Sequence, residues 1–100
     1  MEALKDLTPR YSVLLFMEGT PDFPQCGCSA FAVGALNALR LSYFAYNILE
    51  NLSLKKELGD HAFPQLFVNA ERLLCGMVIK KMYESAELLS LIQKAKGDPL

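Results

Sequence analysis

The chain has 100 residues, 52% of them hydrophobic and 21% charged, and a formal net charge of -1. That length holds one compact domain and is too short for two, and that composition fills a core and excludes a disordered polymer. The balanced charge, with only Lys55-Lys56 and Lys80-Lys81 as adjacent basic pairs, gives no electrostatic basis for a nucleic-acid partner; a solvated helix face accounts for both pairs.

Glu2 to Leu7 reads as a short leading helix that stops before Pro9. This segment carries Glu2, Lys5 and Asp6, so no signal peptide is expected at the start. Ser12 to Met17 is a nearly continuous apolar run of strand length, the pattern of an interior strand covered on both faces. The loop from Gly19 to Gln25 is rich in turn residues. From Gly27 to Leu39 the pattern becomes helical, with Phe31, Ala35, Leu36 and Leu39 sharing a face. Tyr43 to Leu49 is a second strand, rich in aromatics. Leu52 to Leu58 is a short helix closed by Gly59. Gln65 to Asn69 is a third strand entered through Phe63-Pro64, and Arg72 to Cys75 is a fourth, joined by a tight turn at Asn69-Ala70-Glu71. Val78 to Met82 and Ala86 to Ala95 are helical, with Leu88, Leu89, Leu91 and Ile92 forming the apolar stripe.

The longest uncharged stretch, Phe23 to Leu39, contains Pro24, Gln25 and Asn37 and falls short of the roughly 20 apolar residues of a membrane span. No membrane association is expected. Three cysteines are too few and of the wrong parity for a disulfide scaffold. Cys26 and Cys28, two positions apart, are poorly placed for a mutual bond, which needs Cα atoms about 5.5 Å apart in a defined geometry. Free thiols in an intracellular reducing compartment, cytosol or a mitochondrion-like organelle, are the expectation.

The order β-α-β-α-β-β-α begins with a βαβ unit, which must be parallel with a right-handed crossover. A closing hairpin and helix complete a four-stranded mixed sheet flanked by helices, an α/β thioredoxin fold forming a single domain over residues 1–100. In that layout Cys26 stands where the first loop meets the first long helix. Free amide N–H groups and the helix dipole there favour a thiolate over a thiol. The competing reading of Cys26 is a buried small hydrophobe. Gly27 lets a ligand approach the backbone, and Ser29 offers a hydroxyl or a cap.

The string Leu14-Leu-Phe-Met-Glu-Gly-Thr-Pro-Asp-Phe-Pro-Gln-Cys-Gly-Cys-Ser29 closely resembles the active-site segment of monothiol glutaredoxins, whose signature is Cys-Gly-Phe-Ser. Tyr46-Asn-Ile-Leu-Glu50, Phe63-Pro-Gln-Leu-Phe-Val-Asn69 and Met82-Tyr-Glu-Ser-Ala-Glu-Leu88 extend the resemblance from about Val13 to Ile92. It implies that Cys26 is the catalytic cysteine, forming mixed disulfides with glutathione, and one iron ligand of a 2Fe-2S cluster. That cluster would be shared by a homodimer or with a partner protein, glutathione thiols completing the ligands. Pro64 matches the family's cis-proline; Phe63, together with Gly27, Cys28, Gly76 and Met77, would line the glutathione site. With Ser29 in place of a second cysteine, a cluster carrier is expected before a turnover oxidoreductase.

The departures converge on one ligand. Glu18 stands for the family's lysine, Ala62 lies where Trp-Pro-Thr is missing, and the family's Gly-Gly-Cys-Asp aligns with Leu74-Cys-Gly-Met77. Met77 gives an amide but no carboxylate, and Leu74 would strain the turn if its φ had to be positive. The alternative function is therefore a glutaredoxin-fold binding or regulatory module that has lost glutathione and cluster. Lys55, Lys56 and Arg72 are the cations that could replace a lost contact. Cys28 is a candidate resolving thiol or substitute iron ligand. Cys75, expected near Cys26, reads as a packed small residue, His61 as a loop residue, and Met17, Met77 and Met82 as core filling.

Overall fold

The apolar run after Ser12 forms β1 (Val13–Met17), and every one of its residues is at most 2% exposed. The computed structural model describes residues 2–97. Around β1 stand α1 (Leu4–Leu7), α2 (Gly27–Ala38), β2 (Phe44–Asn47), α3 (Leu52–Leu58), β3 (Gln65–Val68), β4 (Glu71–Cys75), α4 (Met77–Glu84) and α5 (Leu88–Lys96), with a 3-10 turn at Ile48–Glu50. The sheet order is β2-β1-β3-β4. β2 runs parallel to β1, β3 antiparallel to β1, and β4 antiparallel to β3. This is the mixed sheet of the thioredoxin fold.

β1 divides its side chains between two cores because successive residues point to opposite faces. Val13, Leu15 and Met17 join Leu66 and Val68 against Ala32, Leu36, Ile79, Leu88 and Ile92 of α2, α4 and α5. Leu14 and Phe16 join Phe67 against Leu7, Leu54 and Leu58 of α1 and α3. Each fully buried Leu or Phe contributes about 1.5–3 kcal/mol. The helices on both faces thus fix the sheet, and the sheet fixes where the β1–α2 loop emerges.

Several details differ from the sequence expectation for local reasons. α2 ends at Ala38 and not Leu39: Arg40 turns to φ 57 and Leu41 N–H bonds back to Leu36 O at 3.1 Å, a left-handed stop without the glycine that normally signals one. The second strand stops at Asn47, whose side-chain oxygen accepts from Leu49 N at 3.1 Å and winds the next residues into the 3-10 turn. Leu74 is paired with Leu66 inside β4, and it is not among the residues with positive φ. The expected strain at Leu74 is therefore absent. Positive φ falls instead on Asn69 and Ala70, the two-residue hairpin turn, on Ala86 between α4 and α5, and on Gly76. A register shift between Leu66 and Phe67 marks an irregularity in the β3–β4 pairing.

Candidate functional site

The β1–α2 loop that leads to Cys26 is tightly folded. Gly19 has φ 92, and a Cβ there would collide with Phe23 O and stand 2.7 Å from Gln25 N, so only glycine fits. Gln25 N–H donates to Glu18 O at 2.8 Å, and Thr20 and Phe23 exchange backbone bonds at 3.2 and 3.0 Å. Asn47 anchors the loop to β2 by accepting Gly19 N–H at 3.0 Å.

The chain then enters α2 with Cys26 itself as the N-cap, φ -148 and ψ 158, its sulfur accepting Ser29 N–H at 3.3 Å. Ser29 is fully buried, with its Oγ 3.2 Å from Cys26 Sγ. The same Oγ accepts Glu18 N–H at 3.2 Å. As a thiol, Cys26 donates to Ser29 Oγ; as a thiolate it accepts both the amide and the hydroxyl proton of Ser29. Both contacts come from the first turn of a twelve-residue helix.

Across from this helix end, Gly76 begins α4 with φ 55, and its N–H bonds to Pro64 O at 2.7 Å. A Cβ on Gly76 would stand 2.9 Å from that of Ala62. The Phe63–Pro64 peptide bond is cis. Cys26, Gly27, Cys28, Gly76 and Met77 line one cleft of about 390 Å³. Phe63 and Pro64 lie behind Gly76 and do not line it.

The cleft also holds residues that sequence reasoning did not place there: Phe31, Ala32, Ile79 and Lys80. Helical spacing carried the signal, since Phe31 follows Cys28 by three positions and Lys80 follows Met77 by three. Lys80 Nζ sits 5.4 Å from the Phe31 ring centroid, and Phe31 meets Tyr83 edge-on. One expectation needs correction, that of Met77 as core filling. Met77 is 51% exposed, because it opens α4 at the rim of the cleft before the helix turns inward at Ile79; its Sδ is 3.5 Å from Cys28 Sγ. Cys75 does not line the cleft. It pairs with Gln65, whose side chain accepts from Arg72 Nε at 3.1 Å, and so belongs to Arg72's side of the sheet. Burial pushes the Cys75 thiol up, against a smaller opposing pull from Arg72.

Arg72 itself is engaged: besides Gln65 it donates to Leu58 O at 2.9 Å and stacks 5.2 Å from the Phe67 centroid. Lys55 Nζ stands 6.0 Å from the Phe63 centroid, and Lys56 lines a separate hollow with Leu52 and Asp60. Glu18 joins the site through its backbone and is not among the cleft-lining residues. His61 contributes its carbonyl to Gln65 Nε2 at 3.2 Å. Among the described residues no three His, Cys, Asp or Glu side chains converge as a metal cage, and no helix is long and apolar enough to cross a membrane.

Known proteins share this sequence pattern and fold. The family profile described as Glutaredoxin matches residues 13–73. Glutaredoxin 4 of Buchnera aphidicola (from Acyrthosiphon pisum) is 41% identical over 88 residues, covering 84% of this chain and 82% of its own. The mitochondrial monothiol glutaredoxin-5 of Saccharomyces cerevisiae is 35% identical, over 96% of this chain and 69% of its own. The solution structure of reduced poplar apo GrxS14 superposes with a TM-score of 0.76 at 37% identity, covering 95% of this chain and 91% of that one. With one cysteine capping the helix and a serine three positions on, the chain belongs to the glutaredoxin family, on its monothiol branch.

Proposed function

We propose that this protein serves thiol redox chemistry and 2Fe-2S cluster binding and transfer, with Cys26 as nucleophile and iron ligand and glutathione as co-ligand. The observation that carries the reading is Cys26 Sγ at the mouth of the cleft, receiving Ser29 N–H at the start of α2. In exchange, the Cys26 thiolate attacks the glutathione sulfur of a glutathionylated thiol and the client thiolate leaves. A second glutathione thiolate then removes the glutathionyl group from Cys26 as glutathione disulfide. In cluster carriage the cargo needs four thiolates. Cys26 supplies one, and glutathione with a second copy or an accepting partner supplies the others. A reducing compartment, cytosolic or mitochondrion-like, keeps these thiols free.

Glutathione would meet backbone groups at Gly27, Cys28, Gly76 and Met77 in the cleft and, beyond its lining, at Phe63-Pro64. The charged contacts are thinned: Met77 has no carboxylate, and Arg72 is committed to Gln65 and Leu58. That leaves Lys80, which lines the cleft, and Lys55, beside Phe63. Each missing charge-assisted contact weakens binding by about 1.5–3 kcal/mol, or roughly one to two decades. We therefore expect weak glutathione affinity and a labile cluster. The same thinning supports the second reading, a binding or regulatory module without cofactor.

Anaerobic reconstitution with iron, sulfide and glutathione, followed by visible absorption and circular dichroism, separates the two. A chromophore that requires glutathione and disappears in Cys26→Ser is the expected result, with Cys28→Ser testing whether Cys28 has become a ligand. A folded, reduced chain that forms no chromophore rejects the cluster reading and leaves the module.

A further inference from the structure

We propose a second use of the same cleft: a binding site for cuprous ion, Cu(I), formed by Cys28 Sγ and Met77 Sδ with Cys26 Sγ as the third ligand. Cys28 comes from the first turn of α2 and Met77 from the first turn of α4, 49 positions apart in sequence, yet their sulfurs stand 3.5 Å apart. Both line the cleft that Cys26 opens onto. Both thiols are free and partly exposed, and Met77 is 51% exposed, so the donors are reachable from solvent without opening the core.

The donor set selects the ion. Thiolate and thioether are soft ligands and favour Cu(I) among biological cations. No carboxylate or imidazole lines the cleft, which leaves the hard ions without oxygen ligands. Structural zinc sites use four nitrogen or sulfur ligands, among which thioether does not figure. The contact between the two sulfurs is a thiol S–H directed at a thioether, so the proton occupies the place where a cation bridging both would enter. On binding, the Cys26 and Cys28 thiol protons pass to solvent and the copper stays cuprous, so no oxidant or reductant is consumed. Two thiolates around one monovalent cation leave a charge of -1, which the Lys80 ammonium, held over Phe31 on the same cleft, offsets.

The test is an anaerobic titration of the reduced full chain with Cu(I) in competition with bicinchoninate, with no iron, sulfide or glutathione present, so that its outcome is independent of the cluster. One equivalent is expected to bind, with protection of Cys26 from alkylation. Loss of outer-sphere partners alone weakens metal sites about 10–100-fold, so Met77→Leu, Cys28→Ser and Cys26→Ser are each expected to lower affinity at least tenfold. Cys75→Ser is expected to leave it unchanged. Met77→Leu is close to isosteric at an exposed position, and far-ultraviolet circular dichroism checks that each variant is folded. Copper X-ray absorption should show sulfur ligands only. Absence of binding, undiminished affinity in Met77→Leu or Cys28→Ser, or dependence on Cys75 overturns the site.

Discussion

Ser29 is the residue through which the loop, the helix and the sulfur meet: buried, it accepts from Glu18 N–H and faces Cys26 Sγ with both its amide and its hydroxyl. Replacing it with alanine removes the hydroxyl that faces Cys26 Sγ and accepts Glu18 N–H; an ordinary hydrogen bond contributes about 0.5–1.5 kcal/mol. Iodoacetamide labelling of Cys26 at neutral pH, followed by mass spectrometry, should change in rate in Ser29→Ala, because the sulfur loses the hydroxyl contact that orients it. An unchanged rate would show the hydroxyl to be a spectator. At Cys75, burial pushes the thiol up. Its native thiol keeps its proton at pH values where the unfolded chain has lost it, so the unfolded state binds fewer protons and stability falls with rising pH in that interval. The effect is confined to alkaline conditions, above the ordinary thiol range. Alkylation of Cys75 should accordingly rise at a higher pH than that of a free cysteine in the urea-unfolded chain. Cys26 was legible in the sequence because it follows a proline-rich loop at a helix start. The Cys28–Met77 contact was not, because the topology that joins α2 to α4 leaves no trace in spacing.

At the scale of elements, the strands and helices were legible wherever periodicity and turn residues agreed, as in β1, β3 and α3. They were misjudged by a few residues where a non-glycine adopts positive φ. Arg40 ends α2 and Ala86 separates α4 from α5 in that way, and neither residue type advertises it. The β3–β4 turn is the clearest case. Asn69 and Ala70 both have positive φ, 49 and 70, the geometry that prefers Asn-Gly. An L-residue with a Cβ is disfavoured there by about 1–2 kcal/mol, partly offset by the greater unfolded-state freedom of glycine. Ala70→Gly should therefore stabilise the protein by about 0.5–1 kcal/mol, read as an increase in the urea midpoint. A decrease would mean that the Ala70 methyl makes a contact that outweighs the backbone strain. The Leu74 expectation failed for a related reason: the glycine-requiring position is Gly76, after the strand, where a Cβ would meet Ala62.

For the whole molecule, the two cores share one strand, so neither face of the sheet can be lost alone. Leu15→Ala opens a cavity on the α2–α4–α5 side and Phe16→Ala one on the α1–α3 side. Such substitutions cost about 2–5 and 3–5 kcal/mol respectively, a large share of the 5–15 kcal/mol typical of a domain. Both should lower the denaturant midpoint in a single transition with an unchanged slope. A second transition in either variant would show that the two sides unfold separately. The fold at this scale was legible because a βαβ unit followed by a hairpin leaves few sheet topologies open. The site's ligand chemistry was less so, because no carboxylate lines the cleft and Arg72 is engaged by Gln65 and Leu58.

The irregular pairing of β3 with β4 has a consequence for how the protein behaves among its own copies. β4 is an edge of the sheet, and an unpaired strand edge is a template on which another chain can build. The register shift leaves Leu73 of β4 without a partner on β3, Leu66 pairing with Leu74 and Phe67 with Arg72; with Glu71 and Arg72 at the start of β4, it twists and charges that edge, while the opposite edge, β2, is only four residues long. Short, kinked and charged borders resist edge-to-edge growth, so the fold discourages self-aggregation through its sheet.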